Sequence, residues 1–263
     1  LENLAKIAAR TMARGEGWTV QDVTCSSGPD DRPFEELHSC VRIAVVVSGT
    51  FEYRSESSRG LMTPGSILLG NAGRSFECAH EHAAGDRCLS FGYAPEYFES
   101  FSTRPFRQLR IPPLRAFASL IAEARAPRPH WEELSVRLAA CAAAIDGNPR
   151  ERREAHPAAV RKVTGIVRAI EREPAARLPV AALARAAGLS PYHFLRTFEC
   201  VTGVTPHQYL LRTRLLEAAR RLANEGSKVI EIALDCGFGD LSNFNRAFRS
   251  EFGMSPRAYR ASR

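Results

Sequence analysis

Two groups of residues in this sequence have types and spacings that could do chemistry. The first is the run FECAHEHAAGDRC at residues 76–88. On an extended strand successive side chains alternate, so Cys78, His80 and His82 fall on one face. Cys88 returns on the neighbouring strand after the AAGD turn, and His38 or Cys40 can contribute from across the sheet. Thiolate and imidazole suit zinc or another transition metal. The tentative metal set is therefore His38, Cys78, His80, His82 and Cys88. The competing reading is a strand with hydrogen-bonded histidines and a buried cysteine, because C-x-H-x-H is not a standard closed zinc motif.

The second group lies in two stretches that repeat each other. LARAAGLSPYHFLRTFECVTGVTPHQY (183–209) and IALDCGFGDLSNFNRAFRSEFGMSPRAY (232–259) share one order of parts. Each runs from a small-residue helix through Gly and a short turn to a helix with F-x-x-x-F, then Gly and P-x-x-Y. Gly188 matches Gly237, Phe194 and Phe198 match Phe244 and Phe248, Gly203 matches Gly253, and Pro206 and Tyr209 match Pro256 and Tyr259. The glycine lets the chain turn sharply, Ser190 and either Asp240 or Ser242 can cap the next helix, and Thr205-Pro206 and Ser255-Pro256 start the helices after that. A short helix, tight turn and second helix is the helix-turn-helix unit, whose second helix enters the DNA major groove.

The period of 3.6 residues turns the two phenylalanines inward and a different set outward. In the first copy the outward set is Tyr192, Leu195 and Arg196. In the second it is Leu241, Ser242, Asn245 and Arg246. Arg can read guanine, Asn adenine, and an apolar side chain a thymine methyl. Arg196 and Arg246 are equivalent in the repeat. The helix between the copies, about 20 residues long, spans about 30 Å, close to one DNA turn, so two recognition helices could sit on one DNA face. Its Arg212, Arg214, Arg220 and Arg221 either approach phosphates or form an ordinary solvated face.

Charge points the same way. The chain of 263 residues carries a net +7. Residues 159–263 hold 17 Lys+Arg against 9 Asp+Glu, while residues 1–158 hold 19 against 20, so the excess lies wholly on the repeat-bearing part. That is the footprint of a polyanion-binding domain. Seven cysteines, an odd number without a paired framework, argue against a secreted disulfide scaffold. No apolar run is long enough to span a membrane, and the N-terminal stretch is not a secretory leader, so cytoplasmic residence is expected.

The elements that must position these groups fall into three zones. Residues 1–16 read as an amphipathic helix. Residues 18–93 read as short strands, among them 18–25, 41–47, 50–55, 66–70 and 87–93, between Gly, Pro and Asn turn signals, which suggests a sandwich or barrel. Phe51, Tyr53 and Phe91 could line its cavity or simply form core. Residues 112–147 read as two helices that cover the sheet or form a dimer seam, and the Pro-containing charged stretch 148–159 reads as a linker. The expected division is 1–147, with its helical part at 112–147, then the linker 148–159, then a helical domain over 160–263.

Residues 160–260, with their two helix-turn-helix units, resemble the DNA-binding domain of the AraC/XylS family of bacterial transcription regulators. PFEELHSCVRIAVVVSGTFEY (33–53) and MTPGSILLGNAG (62–73) resemble, more loosely, the cupin-like sensor domain of such regulators. The resemblance implies an α+β multidomain fold: an N-terminal cupin-like β-barrel with flanking helices and a C-terminal all-α domain. It implies a transcription regulator, activator or repressor, with activator as the expectation, and with double-stranded DNA, RNA polymerase, an effector and a second copy of the chain as partners. The base-facing positions it carries over are Tyr192, Leu195, Arg196, Leu241, Ser242, Asn245 and Arg246. The two leucines depart from the polar residues common there. The alternative is a cupin-type metal-dependent enzyme with a DNA-binding appendage. Of the His-x-His pair such enzymes use, only His38 is present, with Glu36 in the other place, so a non-enzyme is expected.

Overall fold

The computed structural model describes residues 6–55, 59–80, 82, 84–146 and 155–262. The first residues of the expected N-terminal helix, 1–5, lie outside that set. The rest of it is a strand, β1 (Ile7–Gly15), paired antiparallel with β2 (Trp18–Cys25). Gly15, Glu16 and Gly17 supply a tight hairpin turn, and pairing with β2 decides the conformation of a segment whose polar and small residues have no strong preference of their own.

The strands read from the sequence at 18–25, 41–47, 50–55, 66–70 and 87–93 correspond to β2, β4 (Val41–Gly49), β5 (Phe51–Arg54), β7 (Ile67–Gly70) and β9 (Asp86–Tyr93). With β3 (Phe34–Leu37), β6 (Arg59–Met62), β8 (Ser75–Ala79) and β10 (Arg110–Ile111) they make two sheets. One has six strands in the order β1-β2-β9-β4-β7-β10, the other four in the order β3-β8-β5-β6. All pairings are antiparallel. The expected closed barrel is corrected here: the hydrogen-bonded ladder does not run round from one sheet to the other. The sheets face each other instead, and Ala44, Val46, Phe51, Tyr53, Met62, Leu68 and Cys88 from both inner faces form a shared core.

The outer face of the six-stranded sheet is equally apolar. It is covered by α1 (Pro95–Phe98), by a 3-10 turn (Arg115–Phe117) running into α2 (Ala118–Ala124), and by α3 (Trp131–Asp146). Leu134 and Leu138 of α3 are buried against this sheet, with Cys141 and Ile145 packed beside them. The Tyr93 hydroxyl donates to the Ser135 carbonyl at 2.8 Å. The Asp146 carboxylate accepts from the amides of Arg107 and Gln108 at 2.9 and 3.0 Å. Phe91 belongs to this helix-covered core and not to the space between the sheets.

Residues 147–154, most of the expected linker, lie outside the described set. Its last part is helix: α4 (Pro157–Arg172) begins with Pro157 at its first turn and the His156 side chain accepting from the Ala158 amide. Then follow α5 (Val180–Ala186), α6 (Pro191–Thr202), α7 (Pro206–Asn224), α8 (Val229–Asp235), α9 (Leu241–Phe252) and α10 (Pro256–Ala261). These helices enclose two cores. One joins α4, α5, α6 and Tyr209 and takes in Leu61 of β6; the other joins α7 to α10 and takes in Ala118 and Ala122 of α2. Both helical cores therefore include side chains of the first half.

Candidate nucleic-acid interface and sheet cavity

The repeat seen in the sequence is a repeat in space. In the first copy the Phe194 and Phe198 rings are 5.7 Å apart at 59°, and Phe198 meets Tyr209 edge-on at 5.8 Å and 74°. In the second copy Phe244 and Phe248 are 5.5 Å apart at 54°, and Phe248 meets Tyr259 at 5.5 Å and 77°. All six rings are buried. The caps agree too. Ser190 accepts from the His193 amide and Asp240 from the Asn243 amide, so the second cap is Asp240. Gly203 and Gly253 close the two helices in the left-handed conformation. Thr205 with Gln208, and Ser255, cap the helices that follow. Gly237 lies at a φ of +85°, and a Cβ there would stand 2.8 Å from the backbone of Ala175, so both conformation and space demand glycine.

With the phenylalanines fixed inward, the opposite faces of α6 and α9 are turned outward. Tyr192 is 63% exposed and Leu195 39%, and Arg196, Ser242, Asn245 and Arg246 are exposed as well. Leu241 differs: it is half-buried and packs on the second helical core. Arg196 lies 5.8 Å from the centre of the Tyr192 ring and donates to its hydroxyl at 3.1 Å. A tyrosine one helical turn earlier thus holds the guanidinium; in α9 the matching residue is Ser242, which has no ring to offer.

The four arginines of α7 have protein partners. Arg212 donates to Glu251 at 3.1 Å and to the Pro113 carbonyl at 2.6 Å. Arg214 donates to the carbonyls of Pro174, Ala176 and Gly237 at 2.7, 2.9 and 2.9 Å. Arg220 pairs with Glu217, and Arg221 with Glu225 and Asp235. Arg212 and Arg214 thus act as braces between elements.

A cavity of about 250 Å³ lies between the two sheets, lined among others by Cys25, Glu36, His38, Cys78, His80, Asp86 and Cys88. The five residues of the tentative metal set do not all converge within it. His38 is buried, bonded to the Tyr53 hydroxyl at 2.7 Å and stacked on Phe76. Burial, with Arg42 nearby, lowers its pKa to about 4. Strand β8 ends at Ala79, so the expected alternation through His82 does not continue. His82 faces Glu52 at 3.7 Å instead. Cys88 belongs to the opposite sheet and donates to Asp86 Oδ2 at 3.4 Å. Burial raises the thiols of Cys78 and Cys88 well above their ordinary range.

His80 has other neighbours. Its Nε2 lies 2.7 Å from Asp86 Oδ1. Cys25 Sγ, a His80 ring nitrogen and an Asp86 oxygen all lie within 4.8 Å of one another. Burial works against a charge on His80, but hydrogen bonds to Asp86 and Cys25 outweigh it and raise the pKa to about 9. Burial likewise opposes ionisation of Cys25, and hydrogen bonds from His80 and Ser27 outweigh it, so that thiol is lowered. Sequence reasoning missed Cys25 and Asp86. The signal that could have found them is the pairing of β2 with β9, which sets Cys25 directly opposite Asp86.

The outward faces of α6 and α9, each fixed on a buried aromatic stack, define a helix-turn-helix module. Comparison with known proteins agrees. Residues 183–262 match the family model described as a helix-turn-helix domain. A 90-residue stretch is 39% identical to the probable transcriptional regulator LumQ of Photobacterium leiognathi, covering 34% of this chain and 36% of that protein. Sixty residues are 47% identical to the HTH-type transcriptional activator RhaS of Yersinia pestis (strain Pestoides F), covering 23% of this chain and 22% of that one. Among solved structures, the DNA-binding domain of AdpA in complex with a target DNA is 34% identical, covering 38% of this chain and 91% of that one, with a TM-score of 0.38. The chain thus spans about a third of the length of LumQ and about a fifth of RhaS. The match to the helix-turn-helix domain model is confined to the C-terminal segment 183–262. Among the described residues no helix is long and apolar enough to cross a membrane.

Proposed function

We propose that this protein is a sequence-specific, DNA-binding transcription regulator whose N-terminal two-sheet region is a cupin-like sensor of a small molecule or metal. One observation carries the reading: a duplicated helix pair, each copy fixed by a buried Phe-Phe-Tyr stack, turns a matched exposed face outward on the part of the chain that holds all the excess positive charge. The two copies act as two helix-turn-helix units. Tyr192, Leu195 and Arg196 of α6 and Ser242, Asn245 and Arg246 of α9 contact base edges. Leu241, half-buried, supports α9 and adds an apolar edge. The sensor runs to the end of α3, residues 1–147, and the DNA-binding part begins with α4. Binding as a homodimer and contact with RNA polymerase follow from the family resemblance, as does activity as an activator in the cytoplasm. The cupin-like region works as a sensor and not as an enzyme.

The test is selection of bound sequences from random double-stranded DNA with the full chain, followed by competition against scrambled sequence. Enrichment of one motif, bound tightly over the scrambled competitor, is the expected result. Equal affinity for all sequences, varying with salt alone, is the behaviour of a non-specific binder and would overturn the reading.

A further inference from the structure

Cys25, His80 and Asp86 come together from two paired strands of one sheet and the end of a strand in the other. Cys25 ends β2 and Asp86 begins β9, and the two are paired directly across the ladder. On one face of an antiparallel pair such partners hold their Cβ atoms about 4.5–5.5 Å apart. His80 comes from the opposite sheet, one residue past β8. All three line the cavity between the sheets, and their ligand atoms lie within 4.8 Å of one another. This set of thiol, imidazole and carboxylate is largely shielded from water.

We propose that Cys25 Sγ, the His80 ring and the Asp86 carboxylate form a binding site for a soft divalent cation, zinc in the first instance. Sulfur and nitrogen donors exclude the oxygen-seeking magnesium and calcium. Around a tetrahedral zinc with bonds of about 2.0–2.3 Å, ligand atoms stand roughly 3.3–3.8 Å apart. The present separations bracket that range: the His80–Asp86 contact of 2.7 Å must open, and the widest separation, at most 4.8 Å, leaves room to close. Three protein ligands leave a fourth position for water or a small ligand from the cavity. This trio is not the set expected from the sequence. It keeps His80, replaces His38, Cys78, His82 and Cys88, and adds Cys25 and Asp86.

Occupancy of the site can reach the helical half. The residues next to Asp86 in the chain are Ala84 and Gly85, and their carbonyls accept from Arg168 Nη2 at 2.9 and 3.2 Å. Arg168 lies on α4 and also donates to Thr50 at 3.2 Å. The same Gly85 carbonyl is closely packed within the first half, where a Cβ at Gly49, whose φ is +78°, would stand 2.2 Å from it. Opening the His80–Asp86 contact to admit an ion therefore displaces the carbonyls that Arg168 holds, and α4 with them. This link rests on the DNA-binding reading above; the metal site does not.

The experiment uses the full chain purified without a tag, stripped with chelator and then loaded. With zinc, one equivalent should remain after dialysis. With cobalt as the probe, a thiolate-to-metal charge-transfer band should appear. Cys25→Ser should abolish the band and Asp86→Asn should lose the zinc equivalent, while His82→Ala keeps both. Absence of the band in the wild-type chain overturns the site without any variant having to fold. So does a band that survives Cys25→Ser, because another thiol is then the ligand. In the second arm, zinc should shift affinity for the selected DNA by about 5- to 150-fold, and Arg168→Ala should remove most of that shift while still binding one zinc. The same affinity with and without zinc overturns the link to α4. A chain that binds zinc but no DNA in either state overturns the regulator reading and leaves the site standing.

Discussion

The Phe194–Phe198–Tyr209 stack of the first helix pair and the Phe244–Phe248–Tyr259 stack of the second have nearly the same ring geometry, yet they rest on different neighbours. The first stack shares its core with Leu61 of the four-stranded sheet, and the Arg110 guanidinium donates to the Val201 carbonyl at the end of α6 at 2.9 Å. Its tyrosine, Tyr209, donates to Glu171 at 3.0 Å, beside the β4–β5 corner. The second stack rests on Ala118 and Ala122 of α2, and it gains two further rings, Phe238 and Phe252. A duplicated core therefore fixes where α6 and α9 each point, while its attachment to the sheet-bearing half is particular to each copy. The first copy meets the sheets through Leu61, hydrogen bonds and a partly buried carboxylate; the second meets a helix through small apolar residues.

The largest expected effect tests whether the cores are equivalent. Phe198→Ala and Phe248→Ala should each cost about 3–5 kcal/mol of stability, the usual loss for a buried phenylalanine, measured by urea unfolding of the full chain. A cost below about 1 kcal/mol for either would mean that one copy does not depend on its stack.

The next effect tests the asymmetry. Burial raises the pKa of Glu171 to about 7, against the opposing hydrogen bond from Tyr209, the nearby Arg168 and the Gly49 amide. The folded chain then keeps a proton that the unfolded chain has released above its ordinary carboxylate pKa. Stability from this group is full at low pH and is lost as pH rises from about 4.5 to about 7. The loss is at most about 3 kcal/mol. Glu171→Gln should flatten that part of the stability-against-pH curve. Other groups titrate nearby, so the difference between wild type and variant is the quantity to read. An unchanged curve would remove the carboxylate link that sets the first copy apart.

Arg196→Ala and Arg246→Ala should each weaken binding to the selected DNA by about 1–3 kcal/mol and relax preference at one base position each. Because Tyr192 already holds Arg196, Tyr192→Phe should weaken binding by less than Arg196→Ala and more than Ser242→Ala. Competition titrations would show this. Unchanged sequence preference after both arginine substitutions breaks the idea that the copies read DNA in the same way.

The smallest effect concerns α7. Arg220 and Arg221 spend their guanidinium groups on Glu217, Glu225 and Asp235. Arg220→Ala should leave the slope of log affinity against log salt within about half a unit of the wild-type value, whereas loss of a phosphate contact lowers it by about one.

Much of the helical half was legible in the sequence. The repeat in register gave the helix pairs, their caps and their exposed faces, because each depends on residues three or four apart and on local turn chemistry. The same local reasoning failed where pairing over distance decided the outcome. Residues 7–15 carry helix-compatible periodicity but pair with β2 as a strand. Pro157 reads as a linker proline, and it is the first residue of a helix. The strands were recognised, but their closure into a barrel was not observed, because the alternation of side chains fixes faces and not which edges meet.

The candidate sites divide in the same manner. Arg196 and Arg246 needed only the period of one helix, so the sequence alone could name them. The trio of Cys25, His80 and Asp86 needed a strand register over 61 residues and the approach of a second sheet, so no spacing rule could name it. The sequence by itself determined the duplicated helix pairs, the placement of positive charge and the outward set on each second helix. The tertiary structure alone decided that the sheets stay separate, that Arg212 and Arg214 of α7 are braces, and which cysteine and which carboxylate join His80. The reason is range: helices are specified by contacts within a turn or two, whereas sheets, their cavity and the seam between the halves are specified by partners that the chain brings together only when it folds.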